Sequence, residues 1–311
     1  MRSGMGCRFG NVLASALAVL GLAGCGLISS GGGGTASYDE VHVPTVDNNV
    51  CKRLKDKVVI YAVFVDSKVG GTWSTHDILS TMDSVKLAAD WIEAEARSRN
   101  LNLEIEVVTH DKAGVVPVKS DLQRGGLHGA IRGMSPVSSL DRWADKAGRQ
   151  VLSAFPRDTA KITLTKITSK DRERLIARVR DIHRTDNVAL MLFVNNYYND
   201  ESSVAIHTGS TTSIEYAVVA FKRPAIIAHE FLHLFGALDL YVTPYDSDRE
   251  AQKRKHFAME QFPKEIMAFP FRSLDSLEVS PLTEYLVGWR RELPDEYVKM
   301  ITSKKVRLAK Y

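Results

Sequence analysis

The stretch HEFLHLFGALD, residues 229–239, decides how the rest of the chain is interpreted. It follows Pro224, which suits the first turn of a helix because no N–H is needed there. On such a helix His229 and His233 lie one turn apart and point the same way, with their Cβ atoms about 5–6 Å apart. Two imidazoles at this separation can bind one Zn²⁺. The stretch therefore predicts a helix that carries a metal site.

The remaining polar residues of the stretch fit a catalytic site. Glu230 lies about 100° round the helix from His229, where it can reach a water on the metal without binding the metal. Gly236 is a natural helix stop and can take a positive φ, which turns the chain back. Asp239 can then supply a third ligand and leave a fourth position for water, as in catalytic zinc sites. The alternative is a core helix with two histidines by chance, and the added glycine and aspartate make that less favoured.

The whole stretch resembles the long zinc motif of metzincin metallopeptidases. Most of them have histidine at the last position, and Asp239 is similar to the variant of snapalysin-type bacterial enzymes. Further along, EIMAF at residues 265–269 is similar to the Met-turn of the family, in which Met267 would sit beneath the zinc ligands. Residues 280–290 resemble the C-terminal helix of the family.

The resemblance implies an α+β fold of the metzincin type. The upper subdomain, about residues 51–236, would hold a twisted mixed sheet and two main helices. The lower one, about residues 237–311, would be small and mostly irregular, with one helix. A substrate would lie between them and add a strand to the edge of the sheet by backbone hydrogen bonds.

The same resemblance implies a zinc-dependent endopeptidase with one Zn²⁺ per chain. His229, His233 and Asp239 would bind the metal, and Glu230 would take a proton from the attacking water and return it to the leaving amine. The partners would be protein or peptide substrates.

One position departs from the family pattern, and two alternatives remain. Several metzincins place a tyrosine where this chain has Phe269, so the residue that stabilises the transition state is open, with Tyr241 and Tyr285 as candidates. A zinc peptidase of another clan would take its third ligand from a later glutamate. A non-catalytic, zinc-stabilised envelope binding protein is the other alternative, although such a site has no need of Glu230. The later glutamates available are Glu250, Glu260 and Glu278.

Hydrophobic periodicity predicts the elements around the motif. Residues 171–184 predict a helix whose arginines form a solvated basic face, whereas the segment 113–170 matches no family pattern. The predicted strands are 57–65, 101–108, 188–195, 203–207 and 214–221, of which 188–195 is of the buried type and 203–207 is an edge strand. The predicted helices are 76–99, 138–150, 171–184 and 225–235.

The N-terminus predicts export. An apolar run at residues 12–23 follows two arginines and is too short to span a bilayer, which takes about 20 residues. It ends in LAGC, whose Cys25 resembles the acylated cysteine of a bacterial lipobox. We therefore expect a signal peptide at 1–24, a lipid-anchored Gly/Ser-rich linker at 25–50 and a catalytic domain at 51–311, held at the cell envelope on a bacterial membrane.

The composition is that of a soluble globular protein and does not favour nucleic-acid binding. The 311 residues are 44% hydrophobic and 25% charged, as in soluble globular domains, and the net charge of +4 gives no reason to expect nucleic-acid binding. We expect a monomer. Loss of the signal peptide and acylation of Cys25 would leave Cys51 as the last thiol, which excludes an intramolecular disulfide. Cys51 is then a simple, partly buried cysteine, and the alternative is a latency switch in which its thiolate occupies the zinc.

Overall fold

The computed structural model of the chain describes residues 54–67, 70–110, 116–123, 125–131, 137–155, 170–197, 201–208, 214–242 and 249–301. The predicted signal peptide and linker, with Cys25 and Cys51, lie outside these residues and stay predictions. In the described ranges, no helix is both long enough and apolar enough to cross a membrane.

The centre of the protein is a mixed, mostly parallel sheet of six strands, in the order β2-β1-β4-β6-β5 with β3 added beside β1. Pairing is parallel throughout, except that β5 runs antiparallel to β6 at the edge. This confirms the predicted mixed sheet and the edge position of the strand near residue 205. The strands are β1 (Asp56–Asp66), β2 (Leu103–Thr109), β3 (Val118–Lys119), β4 (Asn187–Val194), β5 (Val204–Ile206) and β6 (Tyr216–Val219).

The two central strands explain why their sequences are continuously apolar. Residues 58–65 of β1 are all buried, and so is every residue of β4. Parallel strands covered on both faces need apolar side chains on both, which replaces the usual alternation by an unbroken run.

Helices cover the sheet. They are α1 (Thr75–Ser98), α2 (Gly126–Ile131), α3 (Val137–Ala154), α4 (Asp171–His183), α5 (Pro224–Leu234), α6 (Arg249–Gln261), α7 (Pro281–Leu286) and α8 (Asp295–Ile301), with a 3₁₀ turn at Leu274–Ser276. The side chain of Ser74 caps α1 by accepting from the N–H of Asp77. The apolar face of α1, which includes Ile78, Val85 and Ile92, is buried, and α1 packs against α5 and β2.

The upper part of the fold contains more than the two main helices that were predicted. Besides α1 and α5, the helices α3 and α4 pack against each other beside the sheet. The predicted basic face of α4 is also wrong in part, because Arg172 and Arg178 are buried. Segments distant in sequence, including α3, cover both side chains. The periodicity of α4 alone cannot predict such contacts.

The lower part holds more helix than predicted. The described residues include α6, which was not predicted, and α8 at the end of the chain. The helix predicted over 280–290 ends at Leu286. It ends there because Gly288 takes a φ of +82°, and the N–H of Trp289 bonds back to the carbonyl of Glu284 at 2.7 Å.

Candidate metal centre

Helix α5 carries the predicted motif and is buried over nearly its whole length. Pro224 occupies its first turn, and every residue from Ala225 to Leu234 is buried. The helix starts soon after β6 and packs against α1, β5 and β6. This burial and packing restrict the orientation of the motif histidines.

A glycine turn reverses the chain after α5. Gly236 has a φ of +98°, and a Cβ atom at this position would lie 3.1 Å from the carbonyl oxygen of Leu286. The N–H of Ala237 bonds to the carbonyl of Leu232 at 3.1 Å, which closes the helix end. Both the positive φ and the close approach favour glycine, so Gly236 performs the predicted turn.

The turn brings Asp239 back to the two histidines. The Nε2 atoms of His229 and His233 are 3.0 Å apart. The Oδ1 atom of Asp239 lies 3.2 Å from the first and 3.1 Å from the second. These three residues form a group that could hold a metal ion.

Hydrogen bonds on the far side of each imidazole test whether this group suits a metal. The Nδ1 atom of His229 faces the carbonyl oxygen of Ile266 at 3.3 Å, and that of His233 faces the carbonyl oxygen of Ala237 at 2.7 Å. A carbonyl only accepts, so each Nδ1 carries a proton, and in the neutral imidazole the Nε2 atom then holds the lone pair that a metal needs. The two Nε2 atoms and the Oδ1 atom of Asp239 converge within about 3 Å, and such a set could hold a metal ion. Two nitrogens and one carboxylate oxygen are ligands that Zn²⁺ accepts.

Burial and the Asp239 carboxylate act in opposite directions on the charge of the two imidazoles. Burial lowers the pKa of His229, and the neighbouring His233 lowers it further. Burial acts in the same direction on His233, but the carboxylate of Asp239 outweighs it and raises the pKa of His233 to about 9. Partial burial raises the pKa of Asp239, yet His233 and the imidazole hydrogen bonds hold it well below its ordinary range. The side chain of Asp239 is 41% exposed against 3% for His229, so the group opens to solvent on the aspartate side.

Glu230 lies in the buried wall beside the ligands. It is only 5% exposed, and its Oε2 atom has no hydrogen-bond partner within the part of the chain that the structure describes. Burial raises the pKa of Glu230 to about 8, while the charges of His233 and Asp239 act on it in opposite directions. A buried carboxyl group with an unbonded oxygen and a near-neutral pKa can accept and return a proton at this place.

The predicted Met-turn contacts both arms of the motif. The N–H groups of Ala268 and Phe269 bond to the carbonyl of Glu265 at 3.1 and 3.0 Å, which forms the turn. The carbonyl of Met267 accepts from the N–H of Leu240 at 3.0 Å, one residue after Asp239. The Met267 side chain is fully buried. Together with the bond from His229 to Ile266, these contacts fix the turn against the metal group.

Glu265 is a supporting residue that the sequence did not single out. It is 1% exposed, and its carboxylate accepts from the N–H of Met267 at 2.9 Å, the N–H of Ser280 at 2.6 Å and the hydroxyl of Thr283 at 3.0 Å. It therefore ties the Met-turn to the start of α7. A glutamate directly before an apolar turn was the available signal, because such a residue must find donors once it is buried.

The alternative ligands lie elsewhere. Glu260 is exposed, and Glu278, whose side chain is 57% exposed, forms an ion pair with Lys264 at 2.8 Å. The side chain of Glu250 lies outside the described part. Neither Glu260 nor Glu278 belongs to the group that could hold a metal.

Of the two candidate tyrosines, one lies beside the ligands. The ring of Tyr241 is centred 6.0 Å from that of His229. Tyr285 is buried in α7, and burial raises its pKa. At the position where several metzincins place a tyrosine, the ring of Phe269 lies 3.8 Å from the guanidinium of Arg272.

No protein-family model, no curated protein and no solved structure matches this chain. The residues of the metal group and their surroundings therefore carry the functional interpretation.

Proposed function

We propose that the protein is a zinc-dependent endopeptidase of the metzincin type, which cleaves protein substrates at the cell envelope. One observation carries this proposal. Three metal-binding atoms converge within about 3 Å, and a buried glutamate with an unbonded carboxylate oxygen follows the first of them in the chain. A structural zinc site needs the first feature only, and a peptidase needs both.

His229, His233 and Asp239 would hold one Zn²⁺, with the Nδ1 bonds to Ile266 and Ala237 fixing the orientation of the imidazoles. When bound, zinc supplies a Lewis acid that polarises a carbonyl group and acidifies water. The opening on the side of Asp239 gives a substrate and water access to the group.

Glu230 would move the proton. It takes one proton from the attacking water, whose oxygen forms the new bond to the carbonyl carbon. It then gives this proton to the amine nitrogen as the peptide C–N bond breaks. Without a metal, burial raises the pKa of Glu230 to about 8, and the positive charge of a bound Zn²⁺ would lower it toward the carboxylate form that accepts the proton.

The position of β5 suggests where a peptide substrate would bind. The antiparallel strand β5 is the last strand of the sheet on the described path, and it packs against α5, which carries the metal group. An extended peptide can pair with such an edge through its backbone, so that affinity does not depend on a single side chain.

The test is metal analysis of the purified protein together with cleavage of casein and of a peptide library. We expect one zinc per chain, cleavage that a chelator abolishes and recovery when zinc is returned. A protein that binds one zinc tightly and cleaves nothing in either assay would contradict the peptidase and leave the zinc-stabilised binding protein.

The anchor requires a separate test, since it depends on the sequence alone. Cys25→Ser should abolish labelling by radioactive fatty acid and leave an uncleaved or mis-sorted precursor. Unchanged labelling would mean that Cys25 is not the lipid attachment site.

A further inference from the structure

The edge strand β5 is too short to hold its own position. It has three residues, and within the described part of the chain it pairs only with β6. A strand of this length with one neighbour makes few ladder hydrogen bonds, and short edge strands fray easily. If a peptide is to pair with β5, some other part of the protein must keep this strand in place.

The chain just before β5 is tied to helix α2. Glu201 is 7% exposed, and its carboxylate accepts from the backbone N–H groups of Gly126 at 3.2 Å, Leu127 at 3.0 Å and His128 at 3.4 Å. These N–H groups belong to the first turn of α2, where helical partners are lacking. A buried carboxylate with three such donors is firmly placed.

The residue just after β5 is tied to helix α3. The Nε2 atom of His207 lies 2.9 and 3.1 Å from the two carboxylate oxygens of Asp141. Asp141 in turn pairs with Arg172 at 3.1 Å and accepts from the hydroxyl of Tyr216 at 3.0 Å. His207 has a φ of +63°, a backbone conformation that histidine adopts infrequently. The bond to Asp141 thus fixes the end of β5 in a conformation that it would not prefer alone.

We infer that α2 and α3 form an edge-strand brace, which holds β5 ready to pair with a peptide substrate, and that Glu201 and His207 are its positioning residues. This inference rests on the proposed peptidase function. Both ends of β5 are held by helices from a part of the sequence that carries no motif of its own. A strand ordered in advance does not lose conformational entropy when the peptide binds, so the brace should improve binding of extended substrates in particular.

The variant to test is His207→Asn. Asparagine tolerates a positive φ, so this change removes the bond to Asp141 with little backbone penalty. The matched control is His183→Asn. His183 bonds to Glu106 at 3.0 Å with a side-chain exposure of 17%, close to the 21% of His207, but it lies at the end of α4. Glu201→Gln serves as a second variant at the other end of β5, because an amide retains a single acceptor oxygen.

The first measurement is hydrogen exchange of the backbone amides of residues 204–206. We expect about tenfold faster exchange in His207→Asn and in Glu201→Gln, and no change in His183→Asn, since each removed bond to a charged group is worth about one factor of ten. This measurement does not depend on activity. Unchanged exchange in both brace variants would overturn the brace.

The second measurement compares kcat/KM for a long peptide, which can pair with β5, and for a short one that spans only the residues beside the cleaved bond. We expect His207→Asn to lose about tenfold on the long peptide, mostly through KM, with the short peptide and the zinc content unchanged. Equal losses on both peptides, or loss of zinc, would overturn the positioning role and indicate a general structural defect. A wild-type protein that cleaves neither peptide refutes the proposed function and the substrate role of β5 together, whereas the exchange data still decide whether the brace exists.

Discussion

Two partly buried polar clusters in this protein pair histidine with aspartate at about the same distance, yet they differ in the source of their positive charge. In the arginine cluster, Arg172 is fully buried and forms ion pairs with Asp141 and Asp145, each at 3.1 Å. Its guanidinium lies 5.2 Å from the ring centre of Tyr216, a favourable cation–π distance. Together with His207, these side chains balance carboxylates against a permanent cation that the chain itself provides.

The metal group of His229, His233 and Asp239, with Glu230 beside it, contains no such cation. Among the described residues, no lysine or arginine forms an ion pair with Asp239 or Glu230. Buried acceptors without a matching positive charge are costly. The comparison teaches that a balanced cluster can serve the fold alone, whereas the proposed metal group would need a cation from solution.

The sharpest test of this difference is Glu230→Gln. The amide keeps the size of the side chain but cannot accept a proton, so peptide cleavage should fall by about 10²–10⁴-fold in kcat. Zinc content should stay at one per chain, because Glu230 is not one of the three ligands. Peptidase kinetics and metal analysis on the same preparation measure both. Cleavage at near wild-type rate would show that another group moves the proton.

Asp239→Ala removes a ligand instead of the base. Tight zinc sites with four ligands bind with about 10–16 kcal/mol, so one ligand contributes roughly 3–4 kcal/mol, or more than a hundredfold in affinity. Competition with a chelator of known affinity measures this loss. Glu278→Ala is the control, since Glu278 was one of the three alternative ligands and pairs with Lys264. If Glu278→Ala lost zinc and Asp239→Ala kept it, the third ligand would be the distal glutamate.

The metal group could be predicted from sequence because it is local. Eleven consecutive residues supply the two imidazoles, the glycine turn and the carboxylate, and helical periodicity alone places His229 beside His233. The central strands were equally accessible, since burial on both faces leaves the unbroken apolar runs of β1 and β4.

The arginine cluster could not be predicted in this way. Its members come from α3, α4, β6 and the end of β5, and each looks like an ordinary surface residue within its own segment. Arg172 even appeared to belong to a solvated basic face. Only the packing of α3 against α4 brings Asp141 and Asp145 to it, and a contact of that kind leaves no periodic signal.

Arg172→Met tests whether the arginine cluster is structural only. Removal of the buried cation leaves Asp141 and Asp145 without their main partner, and breaking a buried ion pair costs about 3 kcal/mol or more of unfolding free energy. Urea unfolding should show this loss, while zinc stoichiometry stays the same. Arg174→Met on the same helix is the control, because the Arg174 side chain is 43% exposed. An equal loss in both variants would mean that the effect comes from α4 as a whole.

The smallest expected effect is the pH dependence of the arginine cluster. Burial acts to raise the pKa of Asp141, but the hydrogen bond from His207 and the charge of Arg172 outweigh it and lower the pKa. A carboxyl group whose pKa is lower in the folded state contributes stability above its ordinary pKa of about 3.9, and this stability is lost as the pH falls through the folded-state value. Asp141→Asn has no such titration.

The gap in unfolding free energy between wild type and Asp141→Asn should therefore be constant above about pH 5, at about 1 kcal/mol, and shrink below about pH 4. The opposite contribution of Asp145, whose pKa is raised by burial, is present in both proteins and largely cancels in the difference. Any loss of a bound metal in acid would also affect both proteins and cancel in the difference. Urea unfolding between pH 3 and pH 7 measures the gap. A gap of the same size at every pH would mean that His207 and Arg172 do not stabilise the Asp141 carboxylate, and the balance of charge attributed to this cluster would be wrong.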